Sequence, residues 1–582
     1  MSHKLEDDTF YARTPPEDKP GAPRQTLCNH LIGVSQLACH LAHQARPRDE
    51  AFAYQAELAG MLHDLGKYRL QFQAYLRGDR KKGADTAHSI YGAAPAYDAN
   101  SLPLTLAVLG HHAGLHARRD LKTKIDSRHI ATAHSLIEKH SAREKTLQDL
   151  VEHVRTFDVG PIDPLQLDLQ TRMLFSCLVD ADRLDCLRYE RGSLPPHIPL
   201  DPQTRLQQLE VHVGKLSGEA EVELVNVARA DILNACLAAS AWPERLLSLP
   251  VPTGGGKTLA SIAFALNRAI LRSDEVRRII VVIPYLSIIE QNAKTYADVF
   301  GRDAVLEHHS GDFQKLRQLN KETYGLRVES EDSSLDPDER DRRLATENWD
   351  APIVVTTSVR FFESLFSNHP SDLRRLHNIA RSVVILDEVQ TLPKDFLGPL
   401  LSMIKGLSED WCTTFVFCTA TQPAFEKPAS AGKNDIRWEK GTIRPIIPKD
   451  LQSRLFHDLR RVKEPQWPTP ENKSSWDELA DRITHEKRVL TVVNTKKHAL
   501  ELYRKLLERS KECGLKPYQV HHLSTRMCAQ HRLDKIRQIR CVLLRTAAPC
   551  WVVSTQLIEA GVDLDFPVVF RAMGPLDSII QA

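Results

Sequence analysis

A glycine-rich loop is the feature that most constrains what this chain can fold into. Residues 249–258 read LPVPTGGGKT, with an apolar segment before them and a helix-forming segment after them. Such a loop lets backbone N–H groups approach a polyphosphate closely, with the N-terminus of the next helix facing it. Lys257 would reach the β- and γ-phosphates, and the Thr258 hydroxyl would hold Mg²⁺. The other loop residues expected around the phosphates are Thr253, Gly254, Gly255 and Gly256.

Short runs rich in Val and Ile alternate with helical stretches after about residue 225, a pattern typical of buried parallel strands. A stretch rich in Pro, Lys and Glu at residues 426–475 divides them into two groups, which predicts two α/β units. The runs are Ile279–Ile283, Ile353–Thr357, Val383–Leu386, Thr414–Cys418, Val489–Val493, Trp551–Ser554 and Val568–Phe570.

Two carboxylates follow one of these runs directly. Residues 383–390 read VVILDEVQ, which places Asp387 and Glu388 at the C-terminal end of a predicted strand. In a nucleotide-hydrolysing site the aspartate can hold the Mg²⁺ shell and the glutamate can polarise the attacking water. The alternative is an exposed pair of loop carboxylates. The distance of about 130 residues from the glycine-rich loop favours the nucleotide site.

The first part of the chain has a different character. Residues 1 to about 190 carry apolar residues at three- and four-residue spacing, which predicts helices. Fourteen of the 25 histidines lie in the first 200 residues. Residues 191–204 contain four prolines and a glycine, which indicates a linker or a helix stop.

The histidines form an ordered set around an aspartate. His63 and Asp64 lie in GMLHDLGKY, and the set also contains His30, His88, His111, His112 and either Asp180 or Asp182. Imidazole and carboxylate ligands suit divalent Mn, Fe, Co, Ni or Zn. A carboxylate between two groups of histidines can bridge two ions, which together can activate water and stabilise a leaving oxygen. The competing interpretation is a collection of core and surface histidines.

Lys67 lies four residues after His63, so the two side chains would share one face of a helix. Its ammonium group could neutralise a scissile phosphate, and the alternative is a solvated helix lysine.

Composition excludes other classes of protein. The 77 basic and 75 acidic residues leave a net charge of +2, so any nucleic-acid binding must use a local groove. No run of about 18 apolar residues could span a bilayer. The N-terminus MSHKLEDDTF lacks the apolar core of a signal peptide, and the 11 cysteines include no CxxC pair. We therefore expect a cytoplasmic protein with no membrane partner.

The motif order in the second part resembles the superfamily 2 helicases. After the GKT and DEVQ motifs come Thr419-Ala420-Thr421 and Ser554-Thr555-Gln556, followed by EAGVD at residues 559–563. The resemblance implies two RecA-like lobes that clamp ATP, with Asp563 approaching the nucleotide from the second lobe. The arginine motif of that family has no counterpart before Gln581-Ala582. We therefore expect an incomplete second lobe, which puts ATP hydrolysis and unwinding by this chain in question.

The histidine motifs resemble the HD phosphohydrolase superfamily, an all-α, metal-dependent fold. An HD domain followed by such a helicase is similar to the CRISPR-associated helicase–nucleases of type I systems. This implies an HD nuclease domain at 1–200, a first helicase lobe at 201–450 and a second lobe at 451–582. The resemblance assigns one metal ion to His30, His63, Asp64 and Asp182, and the second to Asp64, His88, His111 and His112.

The same resemblance implies the function. The catalytic residues would be His63, Asp64, Lys67 and Glu388. Two transition-metal ions (Fe, Mn, Ni or Co) would serve the HD site, and ATP with Mg²⁺ the helicase. The partners would be single-stranded DNA and the Cascade surveillance complex with its guide RNA, with phage-encoded inhibitors as further candidates. DNA would be nicked, pulled 3′-to-5′ and degraded, in defence against phage and plasmids.

Two other functions remain open at this point. The first is an HD phosphohydrolase that acts on nucleotides, with the ATPase as a regulatory module. The second is a non-enzymatic module that binds DNA or docks on Cascade.

Overall fold

The structure is a computed structural model of the 582-residue chain. It describes residues 10–15, 21–81, 83, 86–141, 163–219, 223–252, 254–284, 286–309, 345–419, 425–428, 435–460, 462, 466–467, 469, 474–514, 516, 519–545, 547–558, 564–576 and 579.

The N-terminal region is helical. Its helices are α1 (Leu27–Ala45), α2 (Glu50–Leu62), α3 (Leu70–Arg77), α4 (Ser89–Asp98), α5 (Leu102–Gly110), α6 (Ser127–Ser141) and α7 (Pro164–Arg191). Their ends follow local chemistry: the Thr26 side chain accepts a hydrogen bond from Asn29 N, and Asp49 accepts one from Phe52 N. Gly192, in the left-handed conformation, ends α7.

Helix α7 lies at the centre of this region. Helices α1, α2 and α5 pack against it, and they bury small and aliphatic side chains such as Leu31 and Ala59 around Phe175. Burial of this apolar surface is the main favourable contribution to the folding of the region.

A parallel sheet follows, flanked by helices. Among the described residues seven strands form it, in the order β3-β4-β2-β5-β6-β1-β7. Every pairing is parallel. The strands are β1 (Leu246–Pro250), β2 (Arg278–Ile283), β3 (Val305–His308), β4 (Ile353–Thr357), β5 (Ser382–Leu386), β6 (Thr414–Thr419) and β7 (Arg444–Pro445). The helices of this unit are α8 (Pro202–Glu219), α9 (Glu223–Ala239), α10 (Lys257–Leu271), α11 (Leu286–Phe300), α12 (Ser358–Phe366), α13 (Leu397–Asp410) and α14 (Lys449–Asp458).

The central strands of this sheet explain where the nucleotide motifs meet. Strands β5, β6 and β1 are neighbours, and all three run in the same direction. Their carboxyl ends lead to Asp387, Thr419 and the glycine-rich loop, respectively. The crevice outside the carboxyl ends of such strands is where open α/β sheets bind ligands.

A second parallel sheet lies in the C-terminal region. Its order is β11-β8-β10-β9, and its pairings are also parallel. The strands are β8 (Arg488–Val492), β9 (Val520–Leu523), β10 (Cys550–Ser554) and β11 (Val568–Arg571), and the helices are α15 (Trp476–Thr484), α16 (Lys496–Glu512) and α17 (Ala529–Arg545). Short helices and turns of helix elsewhere in the chain are Leu65–Tyr68, Arg118–Asp120, Leu121–Lys124, Arg302–Ala304, Pro370–Leu373, Leu376–Asn378, Val389–Thr391, Lys394–Phe396 and Gln556–Ile558.

The helical region and the first sheet unit share one hydrophobic core. The rings of Phe52 and Trp411 meet edge to face, with their centroids 5.0 Å apart. The guanidinium of Arg381 also donates a hydrogen bond to the carbonyl oxygen of Gln44, at 2.8 Å. A continuous apolar core across the boundary makes the two units pack as one body.

The predicted fold class is confirmed: a helical region precedes two α/β units with parallel sheets. Each of the seven predicted apolar runs forms a strand, with bounds that shift by one residue at most. None of the helices in the described parts of the chain is apolar and long enough to cross a bilayer.

Candidate functional site

Seven side chains from distant parts of the helical region converge on one point. They form two groups, and within each group the potential ligand atoms lie within 4.8 Å of one another. We call the set the histidine cluster; its first group is His30, His63 and Asp182, and its second is Asp64, His88, His111 and His112.

The backbone brings the chain segments of the histidine cluster into close contact. His63 and Asp64 follow helix α2, and His88 immediately precedes helix α4. A Cβ on Gly66 would lie 2.4 Å from the carbonyl oxygen of His88, and one on Gly92 would lie 2.0 Å from that of Leu62. Glycine at both positions therefore allows the two segments to touch.

Asp64 lies between the two groups, and its two oxygens face opposite ways. The Oδ2 atom is 3.2 Å from His30 Nε2 and 3.4 Å from His63 Nε2. The Oδ1 atom is 3.1 Å from His88 Nε2 and 3.6 Å from His111 Nε2. A carboxylate in this position can give one oxygen to each of two cations.

Three of the histidines are held by their other ring nitrogen. The Nδ1 atoms of His63 and His111 lie 2.7 Å from the carbonyl oxygens of Gly60 and Val108. The Nδ1 atom of His30 lies 2.7 Å from Asp185 Oδ2. An oxygen acceptor at Nδ1 fixes the proton there, which leaves Nε2 with its lone pair toward the centre, as in metal-binding histidines.

The donor set fits a pair of metal ions. Within the described parts of the chain, the inward Nε2 atoms of His30, His63 and His111 and the Oδ1 atom of Asp64 are buried without a hydrogen-bond partner. Buried polar atoms are rarely left in this state, because each one costs desolvation free energy. Four such atoms that converge on one point are what a cation would satisfy.

The electrostatics of the cluster keep its carboxylates ionised. Burial opposes ionisation of Asp64, but Lys67, His63 and His88 hold its pKa well below the usual range. Burial likewise opposes ionisation of Asp182, and His63 and His30 lower its pKa. Both groups are therefore anionic ligands at neutral pH.

His112 is the most exposed member of the cluster. Burial and the neighbouring His111 lower its pKa to about 2, and its Nε2 atom lies 2.9 Å from that of His88. The ring is therefore neutral at pH 7 and able to offer a lone pair to a cation.

The structure distinguishes Asp180 from Asp182, the two aspartates that the sequence left as alternatives. The Oδ1 atom of Asp182 lies 3.5 Å from His30 Nε2 and 3.9 Å from His63 Nε2. Asp180 faces the other way, and its carboxylate forms an ion pair with Arg374 Nε at 2.5 Å. Residues two apart on a helix differ by about 200° in direction, which is why only one of them reaches the cluster.

Lys67 lies inside the cluster. Its ammonium nitrogen is 2.5 Å from Asp64 Oδ2 and donates a hydrogen bond to the carbonyl oxygen of Ala12, at 3.2 Å. The side chain is 11% exposed, so it is not the solvated lysine of the alternative interpretation. Its role toward a phosphate stays a prediction.

No motif in the sequence pointed to Asp185, whose carboxylate lies against the Nδ1 atom of His30. Gln25 donates a hydrogen bond to its Oδ2 atom at 2.7 Å, and Arg188 donates one to Oδ1 at 2.6 Å. Burial opposes ionisation of Asp185, and the hydrogen bond to His30 lowers its pKa. Asp185 lies three residues after Asp182 on α7 and therefore on the same helix face, and this spacing could have predicted that it reaches the site.

The second candidate site lies at the glycine-rich loop. Gly254 and Gly256 have φ values of 87° and 79°, a conformation that favours glycine. A Cβ on Gly255 would lie 2.5 Å from the Val251 side chain, so this position also requires glycine. Lys257 begins helix α10 directly after the loop, and Thr258 follows it. We call residues 254–258 the phosphate loop.

The predicted carboxylates face the phosphate loop. The Nζ atom of Lys257 donates a hydrogen bond to Glu388 Oε1, at 3.4 Å. Burial, together with the charge of Glu388, raises the pKa of Asp387 to about 6, although Lys257 opposes the shift. Asp387, Lys257 and Thr258 line one small cavity.

Gln390 connects this site to the next strand, a role that the sequence did not suggest. Its side-chain nitrogen donates to Glu388 Oε2 at 2.6 Å, and its Oε1 accepts from the Thr419 hydroxyl at 2.8 Å. Glu388 itself has a φ value of 45°, a strained conformation typical of functional sites.

Several predicted residues lie outside the described parts of the chain. They are Thr253 of the glycine-rich loop, Ala420 and Thr421, the segment 559–563 with Asp563, and Gln581 with Ala582.

Two family profiles match the chain. Residues 234–428 match the DEAD/DEAH box helicases, a range that contains the phosphate loop, Asp387 and Glu388. Residues 485–582 match the C-terminal part of the CRISPR-associated nuclease/helicase Cas3.

Similar proteins span almost all of the chain. A CRISPR-associated nuclease/helicase Cas3 from Haloferax volcanii is 26% identical over 672 residues, which cover 90% of this chain and 70% of that protein. The crystal structure of T. fusca Cas3 with ATP matches with a TM-score of 0.64 at 15% identity, over 99% of this chain and 72% of the other. A chain of a CRISPR RNA-guided surveillance complex, pre-nicking, matches with a TM-score of 0.55 at 16% identity, over 99% of this chain and 70% of the other.

The structural matches show a shared fold. The helicase profile covers the phosphate loop and the DEVQ strand, in the order in which the sequence has them. Over most of its length the chain is therefore similar to the CRISPR-associated helicase–nucleases related to Cas3.

Proposed function

We propose that this chain is a metal-dependent nuclease for single-stranded DNA that acts together with an ATP-driven 3′-to-5′ motor in type I CRISPR defence. The observation that carries the nuclease part is the position of Asp64 between two groups of ligands, with one oxygen toward each. Relatives described as nuclease/helicases support the pairing of the two activities.

The histidine cluster would hold two divalent cations. His30, His63, Asp64 and Asp182 would bind one of them, and Asp64, His88, His111 and His112 the other. When bound, the two cations supply activation of a water molecule and charge stabilisation at the leaving oxygen of a phosphodiester. Iron, manganese, nickel and cobalt all suit this mixture of imidazole and carboxylate ligands.

The chain itself contributes orientation and charge. The carbonyl oxygens of Gly60 and Val108 and the carboxylate of Asp185 hold three rings in the orientation that binding requires. Lys67 brings a positive charge to Asp64, within reach of a diester anion at the centre. Hydrolysis adds the water oxygen to phosphorus, breaks one P–O ester bond and transfers a proton to the leaving oxygen.

The phosphate loop would bind ATP. Lys257 would pair with the β- and γ-phosphates, Thr258 and Asp387 would hold Mg²⁺, and Glu388 would polarise the attacking water. Gln390 connects Glu388 to Thr419 at the end of the adjacent strand. A movement of Glu388 during ATP hydrolysis would therefore be transmitted to that strand. Single strands produced by such a motor are the natural substrate of a nuclease that grips only the backbone.

Recruitment by Cascade with its guide RNA belongs to the same proposal. The supporting observation is the match of 99% of this chain to a chain of a surveillance complex in a pre-nicking state.

The test is a comparison of substrates with manganese as the added metal. The purified chain is incubated with Mn²⁺ and either a circular single-stranded DNA or a panel of nucleotides and cyclic nucleotides. We expect the circle to be cut without ATP. Cleavage of nucleotides with an intact circle would replace the proposal by a nucleotide phosphohydrolase.

A variant excludes contaminating nucleases. The double substitution His63→Ala with Asp64→Ala removes ligands of both groups, and we expect it to abolish cutting of the circle. Cutting at the native rate by this variant would contradict an enzymatic role for the cluster, and would favour a module that only binds DNA or docks on Cascade.

A further inference from the structure

A half-buried arginine from the N-terminal segment lies beside the histidine cluster, and neither motif includes it. Arg13 belongs to residues 10–15, which contact the residues just before helix α1 and the side chains of Lys67 and Gln73. Its Nη2 atom lies 3.2 Å from Nδ1 of His30. Its charge also interacts with those of Asp182 and Asp64.

The segment is held firmly on both sides. Tyr11 pairs with Thr26 in an antiparallel bridge, and Ala12 N donates a hydrogen bond to the carbonyl oxygen of Gln25, at 3.0 Å. From the other side, the Gln73 side chain donates to Tyr11 O at 3.0 Å, and Lys67 donates to Ala12 O at 3.2 Å. The backbone of Arg13 is therefore fixed relative to the cluster.

The protein satisfies the donors of Arg13 only in part. Nδ1 of His30 lies 2.7 Å from Asp185 Oδ2, so its proton points to that carboxylate and it cannot also accept from Arg13. Within the described residues, the Nε atom of Arg13 is buried without a hydrogen-bond partner. The guanidinium also hydrogen-bonds with the Cys186 thiol, and its carbon lies 6.0 Å from the centroid of the Tyr189 ring.

We infer that Arg13 binds a non-bridging oxygen of the scissile phosphodiester, together with Lys67, in the reaction proposed above. A guanidinium presents a rigid fork of donors that matches a phosphate, and it stays charged at any working pH. Lys67, which hydrogen-bonds to the carbonyl oxygen of Ala12 next to Arg13, would then contact the same anion. The inference rests on the proposed nuclease function.

The experiment measures binding of a small diester and not turnover. Dimethyl phosphate is titrated into the manganese-loaded chain, and the broadening of its ³¹P signal by the bound Mn²⁺ reports its occupancy of the site. Four proteins are compared: native, Arg13→Ala, Arg13→Lys and Arg24→Ala. Arg24 is an exposed arginine that lies over the Tyr11 ring, so it serves as the matched control. Manganese content is determined for each protein.

We expect Arg13→Ala to keep its manganese and to bind dimethyl phosphate about tenfold to a hundredfold more weakly, the range for loss of a hydrogen bond between charged groups. Arg13→Lys should recover part of the affinity, and Arg24→Ala should bind like the native chain. The KM for a short single strand should rise more in Arg13→Ala than kcat falls.

Three results would overturn the inference. Native affinity in Arg13→Ala would show that the guanidinium does not contact the diester. Loss of manganese in both Arg13 variants would show that it only supports His30. If Arg13→Ala fails to fold, native affinity in a folded Arg13→Lys would show that the guanidinium is not needed to bind the diester. A native chain that binds no manganese would instead refute the nuclease proposal on which the inference rests.

Discussion

The histidine cluster and the phosphate loop both bury carboxylates where a cation would bind, but they shift the pKa values of those carboxylates in opposite directions. In the cluster, the pKa values of Asp64 and Asp182 lie below the usual range despite burial. At the phosphate loop, burial and Glu388 raise the pKa of Asp387 to about 6.

The difference follows from what surrounds each carboxylate. Asp64 has the Lys67 ammonium and imidazoles around it, whereas Asp387 shares one lysine with Glu388. A nearby positive charge favours the ionised form of an acid, and a nearby negative charge opposes it. The cluster therefore keeps its carboxylates ionised, while the phosphate loop holds Asp387 closer to protonation.

The largest expected effect comes from removing the shared carboxylate charge. Asp64→Asn keeps the shape of the side chain but loses the negative charge that both groups use. We expect manganese-dependent nicking of a single-stranded circle to fall by about a thousandfold or more, since both cations would lose a ligand. Asp79→Asn, at an exposed aspartate paired with Arg77, is the control and should nick like the native chain. Comparable nicking by Asp64→Asn would show that the carboxylate is dispensable.

The next prediction tests whether the two sites act separately. Lys257→Ala removes the cation that faces the phosphates, so we expect ATP hydrolysis to fall by about a hundredfold to a thousandfold from whatever rate the native chain shows. Nicking of a circle that is already single-stranded should change by less than about threefold, because the cluster contains no residue of the phosphate loop. A loss of nicking as large as that in Asp64→Asn would mean that the sites are coupled.

Asp180 and Asp182 should separate stability from metal binding. Asp180→Ala leaves the buried Arg374 with its second carboxylate partner, the partly exposed Glu347, and loss of the buried pair costs up to about 3 kcal/mol. We expect a lower thermal midpoint with native manganese content. Asp182→Ala should show the reverse, a loss of manganese with a smaller change in midpoint. If calorimetry showed the larger loss of stability in Asp182→Ala, and elemental analysis showed the loss of manganese in Asp180→Ala, the two roles would be reversed.

The smallest effect is a pH dependence at the phosphate loop. Because the pKa of Asp387 is about 6, the group is mostly protonated at pH 5 and mostly ionised at pH 7.5. We expect Mg²⁺-dependent binding of a fluorescent ATP analogue to weaken by up to about tenfold as the pH falls from 7.5 to 5, because protonated Asp387 no longer attracts the cation. The same raised pKa means that the folded state takes up a proton more readily than the unfolded state, so this group destabilises the fold as pH rises from about 4 to 6.

A control distinguishes Asp387 from other titrating groups. Asp387→Asn should bind the analogue weakly at both pH values and should remove most of the dependence. An unchanged dependence in that variant would assign the effect to a different group.

Some strands could not be predicted from the apolar pattern of the sequence and depend on tertiary structure. Strands β3, β7 and β9 lie at sheet edges, where they have one neighbour each. Edge strands are short and only partly covered, so they need no continuous run of apolar residues. Most central strands are buried on both faces and carry recognisable Val- and Ile-rich runs. The division is not complete, because the edge strand β11 was also predicted, and the central strand β1, whose sequence LLSLP contains no Val or Ile, was not among the runs.

The site residues divide in the same way. The motifs indicated the members of the histidine cluster because their residue types and order are distinctive. Asp185 and Arg13 carry no motif, and only the packing of α7 and the N-terminal segment against His30 brings them to the site. The choice between Asp180 and Asp182 likewise depends on which face of α7 meets the first sheet unit.

The central claim is that Asp64 holds two cations at once. Its most direct test is anomalous diffraction at the manganese edge from crystals of the native chain grown with Mn²⁺. The account predicts two peaks roughly 4 Å apart, one on each side of the Asp64 carboxylate, with the imidazole Nε2 atoms as ligands. A single peak, or none under saturating manganese, would contradict it.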